Sequence, residues 1–156
     1  MIMGMYTGLR FKGVVKKEFR EKLKDIALNG EWETSEDEIL SKFAEIERAG
    51  FIPCGALTYM PGNWQKGPYD EYGDGAATEG FERSYDKETG IWTFQCSLKN
   101  YEGTIQEFFN IVPYFIESVE HAEVYYEESA YSTKYELKDG VMVDTDNKFI
   151  QYGYVD

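Results

Sequence analysis

The run "MYTGLRFKGVV", residues 5–15, alternates in polarity. Met5, Thr7, Leu9 and Phe11 fall on one side, and Tyr6, Gly8, Arg10 and Lys12 on the other. A period of two predicts a half-buried strand with Leu9 and Phe11 turned inward. The period then changes. In "KKEFREKLKDIAL", Phe19, Leu23, Ile26 and Ala27 recur at helical spacing, and Gly30 is a plausible stop. "SEDEILSKFAEIERAG" reads as a second helix. Ser35 and Glu38 fit a capping box, in which a hydroxyl accepts from the helix start and a carboxylate reaches back. Ile39, Leu40, Phe43, Ala44 and Ile46 supply its apolar stripe, and Gly50 suits its end. "FIPCGALTYM", residues 51–60, follows as a strand, with Pro53 marking an edge or a strand start.

Residues 61–80, "PGNWQKGPYDEYGDGAATEG", break both periods. Their glycines and prolines deny helix and strand propagation and predict a long surface loop. Beyond it, residues 81–85 and 91–99 flank "DKETG" as a hairpin. Trp92, Phe94, Cys96 and Leu98 share its apolar face; Thr93, Gln95, Ser97 and Lys99 share the other. "TIQEFFNIVPYFIES" predicts a helix with a second capping box, Thr104 and Glu107. Phe108, Phe109 and Val112 are expected to cover Trp92 and Phe94, and Pro113 to kink or restart the helix. Segments 120–128, 131–137, 141–144 and 148–154 then read as strands of a meander.

This order predicts a single α+β domain over residues 1–156. Its sheet is mostly antiparallel with helices on one face: a ferredoxin-like split βαβ kernel followed by a C-terminal β-meander.

Charge adds a second layer. The 156 residues carry a net charge of −13. Residues 1–24 hold seven basic and two acidic side chains, a net of +5, which leaves nine basic and 27 acidic over 25–156, a net of −18. Between Lys99 and Lys134 there is no Lys or Arg, only Glu102, Glu107, Glu117, Glu120, Glu123, Glu127 and Glu128 among the charged residues. Such a surface disfavours direct nucleic-acid binding, which needs clustered cations. It suits a basic protein partner, or acidity that simply maintains solubility. No run of apolar residues is long enough for a membrane span, and the first residues turn polar too quickly for a secretion signal. Two cysteines, Cys54 and Cys96, fit a cytoplasmic chain with reduced thiols.

The run from Ile91 to Val143 resembles the C-terminal half of YubB-like ferredoxin-like domains. It covers about a third of the chain. Trp92, Phe94, Pro113, Tyr125, Tyr126, Glu127 and Glu128 occupy the comparable places, whereas the proline comes earlier and Ser129 replaces the usual glycine. Domains of this kind occur on plasmids and phages without an assigned activity, so the resemblance implies a mobile-element accessory protein and no chemistry.

The residues themselves offer few reactive sets. On a strand over 120–128, His121, Glu123, Tyr125 and Glu127 share one face, expected to look outward or toward a neighbouring strand, and Ala122, Val124 and Tyr126 share the other. His121 with Glu123 and Glu127 could ligate a metal in principle, but the chain has no second His and ordinary ligand sets cluster more tightly, so no metal site is expected. Neighbouring Glu127 and Glu128 point to opposite faces and form no carboxylate pair. Cys96 falls on the apolar face, where a thiol is inert. There is no phosphate loop and no nucleophile elbow. No catalytic set, metal or cofactor is expected.

Two classes of function remain. The first is a non-enzymatic acidic interaction protein such as an inhibitor, an immunity protein or a mimic of nucleic-acid charge. Its contact residues would be Trp64, Tyr69, Asp70, Glu71, Tyr72 and Asp74 of the loop with Glu120, Glu123 and Glu127 of the strand. Trp64, close to the preceding strand, is the one of these expected to serve the fold. The second is a small-ligand or hydrolytic site between loop and sheet, built from Asp70, Glu71, Asp74 and His121.

Overall fold

The computed structural model describes residues 5–57, 60, 64 and 80–150. They form an α+β fold on an antiparallel sheet. Strand β1 (Thr7–Val15) leads into three short helices, α1 (Lys24–Asn29), α2 (Glu38–Phe43) and α3 (Phe51–Cys54). The hairpin β2 (Ser84–Tyr85) and β3 (Ile91–Leu98) follows, then α4 (Thr104–Phe115), β4 (Ile116–Tyr126), β5 (Thr133–Lys138) and β6 (Val141–Asp146). The order across the sheet is β2-β3-β1-β4-β5-β6. The first strand is therefore central, flanked by two strands that α4 connects, as a split βαβ kernel requires. β5 and β6 extend the β4 side as a meander.

The alternation of β1 sets the two faces. Leu9, Phe11 and Val15 are buried beneath the helices with Trp92, Phe94 and Cys96 of β3. Phe11 stacks on Phe94 at 5.4 Å between centroids and meets Phe108 of α4 edge-on at 5.5 Å. These offsets suit the ring quadrupoles. Trp92 and Trp32 are wholly buried, and each indole N–H has an acceptor, the Ala27 carbonyl at 2.9 Å and the Ile52 carbonyl at 2.8 Å. Phe108, Phe109 and Val112 lie over this layer as their spacing predicts.

Several local expectations are corrected. The cap of α2 is Asp37, not Ser35: one carboxylate oxygen accepts from the amides of Ile39 and Leu40 at 2.9 and 3.0 Å, two orphan donors at once. Ser35 instead accepts from Asp37 N–H. Ile39, placed in the apolar stripe by spacing, is exposed, because α2 is one and a half turns long and buries only Leu40 and Phe43. Thr104 does not cap α4 either. Its hydroxyl donates to the Glu47 carbonyl, and Asn100 caps Ile105 N–H at 2.8 Å. Pro113 sits in the last turn of α4, where it neither kinks nor restarts the helix; the chain becomes β4 at Ile116.

The described part of the strand expected at 51–60 is α3 and a short extended piece. Ile52–Pro53 is a cis bond, and Pro53 has no N–H to give a ladder. Gly55 lies so close to β3 that a Cβ there would fall 1.9 Å from the Ser97 carbonyl oxygen. Ser97 N–H donates to the Gly55 carbonyl at 3.3 Å and its hydroxyl to Ala56. Only the first two residues of the 81–85 arm nearest the turn are paired as β2. Of the strand expected at 148–154, Phe149 and Ile150 instead bracket Ser132 by backbone hydrogen bonds of 2.9 and 2.8 Å, and residues beyond 150 lie outside the described set.

Candidate functional site

The face of the sheet opposite the helices carries Gly8, Arg10, Thr93, Gln95, Ser97, His121, Glu123 and Tyr125. Register places Arg10 between Gln95 on β3 and Glu123 on β4. Both charged side chains are buried, with side-chain exposures of 5% and 0%. Arg10 donates through Nε to Gln95 Oε1 and through Nη1 to Glu123 Oε1, both at 3.2 Å, and through Nη2 to the Trp64 carbonyl at 2.6 Å. Gln95 donates to the same carbonyl at 2.6 Å. Glu123 Oε2 accepts from the Ser132 hydroxyl at 2.6 Å. Its Oε1 also meets His121 Nε2 at 2.9 Å; an ionised carboxylate only accepts, so this nitrogen carries the proton.

Trp64 covers the network. Its ring lies 4.0 Å from the Arg10 guanidinium carbon, a cation–π contact, and stacks on Tyr125 at 5.6 Å. Gly8 is what admits it: a Cβ there would stand 2.4 Å from the indole nitrogen. Met60, Tyr6 and Ile150 complete this small apolar cluster, and Phe81 and Phe149 flank His121.

The electrostatics follow from the geometry. Burial pushes the Glu123 carboxyl up, but the hydrogen bond from His121, the Arg10 charge and the hydrogen bond from Ser132 more than offset it. The carboxyl is held below its ordinary value. As chemistry the set is closed. A serine nucleophile needs its hydroxyl against a base, with the carboxylate behind the histidine. Here the carboxylate stands between serine and histidine, and Arg10 neutralises it. Ser132 therefore gives its proton to a hydrogen bond that stabilises the charge, and the cluster ties β1, β3, β4 and the segment before β5 together. Cys96 is wholly buried, which pushes its thiol far up, and Cys54, partly buried, is pushed the same way. Neither is a ready nucleophile. Among the described residues no group of three or more His, Cys, Asp or Glu is placed to hold a metal, and no helix is long and apolar enough to cross a membrane.

The structure separates the expected contact residues. Glu123 is not on an outward acidic surface, because Arg10 and Trp64 close that face. Trp64 is wholly buried and serves the fold. Glu127 is half-buried, its carboxylate accepting from Tyr6 N–H. Glu120 is exposed at the bulge where β4 shifts register against β1, 3.4 Å from Lys12 Nζ. Tyr69, Asp70, Glu71, Tyr72 and Asp74 lie outside the described residues. Outward acids do exist on the meander: Glu117, Glu120, Glu128, Glu136, Asp139, Asp144 and Asp146 are all exposed. Those beyond Glu128 belong to β5, β6 and their turn, which the sequence presents as ordinary strands.

No family model, no curated protein and no solved structure matches the chain.

Proposed function

We propose that the chain is a non-enzymatic, cytoplasmic interaction protein of a phage or other mobile element that docks a basic protein partner through the acidic strands of its meander. The observation behind this reading is a division of labour among charges. Among the described residues, the constellation of reactive residue types formed by Arg10, Glu123, His121 and Ser132 is hydrogen-bonded within the fold. The other acids of β4, β5 and β6, which are Glu117, Glu120, Glu136, Asp144 and Asp146, remain exposed, with Lys134 and Lys138 among them on β5. Long-range attraction from such a surface speeds encounter with a basic patch and repels nucleic acid. The hydrolytic reading draws on His121, which is turned to Glu123, and it gains nothing from that geometry.

The test is capture. The full chain, immobilised, is exposed to lysate of the host at about 50 mM and about 500 mM salt, because screening shortens the reach of exposed charges. A specific basic protein retained only at low salt is the expected result. Retention that is indifferent to salt, or retention of nucleic acid, contradicts the reading.

A further inference from the structure

Two cations meet an apolar surface at one place on this acidic molecule. A cleft of about 310 Å³ opens beside the end of the β1–β3 pair, lined by Tyr6, Arg48, Phe51, Ala56, Leu98 and Lys99, together with Ser97. Most of its described lining is apolar, and among the described lining residues the charged ones are two cations, Arg48 and Lys99. Two of the large exposed aromatics of the fold stand at this place: Phe51, 50% exposed, lines the cleft, and Tyr101, 53% exposed, faces Arg48 at 5.7 Å. Lys99 Nζ lies 5.7 Å from the Tyr6 ring.

Arg48 is held there against two costs. Its backbone is left-handed, φ 69°, which a side chain other than glycine or asparagine rarely adopts. Its Nη1 is buried with no hydrogen-bond acceptor. The nearest carboxylate oxygen, Glu47 Oε1, is 3.6 Å away on a side chain 63% exposed, an ion pair beyond hydrogen-bond length. The backbone N–H of Tyr6, a residue of the lining, donates to the Glu127 carboxylate. Nη1 itself is enclosed, while the rest of the Arg48 side chain is 23% exposed and lines the cleft, where it can meet a ligand.

We propose that this cleft binds a small organic anion, a carboxylate carried on one aromatic or apolar body. The carboxylate accepts from Arg48 with Lys99 beside it, and the body packs on Leu98, Ala56 and Phe51. Arginine suits such a planar two-oxygen acceptor. The volume is at the low end for ligand sites and fits a single ring with a short acid arm. This site is independent of the docking surface on the meander.

The experiment titrates 3-phenylpropionate into the full isotope-labelled chain and follows backbone amide shifts. Its neutral amide and inorganic phosphate serve as separate probes. Saturable shifts centred on Ala56, Leu98 and Lys99 are expected, with the amide and phosphate each weaker by about tenfold or more, the value of one good interaction. Lys99→Gln weakens binding several-fold. Arg48→Gly removes the guanidinium while relieving the left-handed backbone, so it folds and binding is lost. The proposal is overturned if the amide binds as tightly as the acid, since the cations then contribute nothing. It is overturned equally if phosphate alone matches the acid, if shifts centre elsewhere, or if no saturation is reached at millimolar ligand.

Discussion

Replacing Glu123 by Gln is the sharpest test of the buried charge cluster. The substitution keeps the side chain's shape and leaves Arg10 facing a neutral amide. Arg10 and Glu123 have side-chain exposures of 5% and 0%, so bulk water cannot take over the lost partner. Removing one member of a buried ion pair costs about 3–5 kcal/mol. For a chain of this size each kcal/mol moves Tm by roughly 2–4 °C, so a fall of roughly 6–20 °C is expected at neutral pH. The amide also presents an NH2 group where Ser132 or His121 now donates, which adds to the loss. The pH dependence carries a second signature. The folded carboxyl titrates below its ordinary value of 4.5, so ionisation contributes stability that is fully present above that value. The contribution disappears as pH falls through the lowered folded value. Urea unfolding followed by tryptophan fluorescence, for parent and Glu123→Gln, should give curves far apart at pH 7 that converge in acid. A difference under about 1 kcal/mol at pH 7, or one that persists unchanged well below the carboxyl's ordinary value, refutes the account of the cluster.

Phe94→Ala should cost about 3–5 kcal/mol in the same assay, because its ring stacks on Phe11 and meets Phe108 in a closed core. Trp64→Ala should destabilise by a similar amount, about 3–5 kcal/mol, since the indole is wholly buried over Arg10. Thiol labelling of the native chain at neutral pH should leave Cys96 unmodified until denaturant is added, because burial raises its pKa and bars access.

The alternation of β1 and β3 and the helical spacing of Phe108, Phe109 and Val112 made the main core legible, since each side chain's face follows from period alone. The split βαβ arrangement followed from the element order, although the strand expected at 51–60 takes no place among the described strands of the sheet. Less legible was that the second face of the sheet is also covered. One signal was available: Thr93, Gln95 and Ser97 are polar but uncharged, as befits a face with hydrogen-bonding neighbours and little water. Glu123 looked like a surface acid because strand parity gives a side chain's face but not what lies over it. Its partner Arg10 is 113 residues away in sequence, brought opposite only by β1–β4 register. Caps went astray where a competing donor or acceptor was nearer: Asp37 for Ser35, and the Glu47 carbonyl for Thr104. The cleft at Arg48 had no local motif, because its two cations come from different elements and its significance rests on a backbone angle.

The central claim is that the exposed acids of the meander are used for docking. It is tested most directly by reversing Glu117, Glu120 and Glu136 to Lys together and measuring association with the captured basic partner by stopped flow across a salt series. These three are exposed, so the variant should fold with nearly parental stability, unlike any reversal at buried Glu123. Electrostatic steering commonly changes association rates by about tenfold or more at low salt. The account expects a large fall in the on-rate at low salt, with parent and variant converging as salt rises. An on-rate unchanged by the triple reversal at low salt would contradict it.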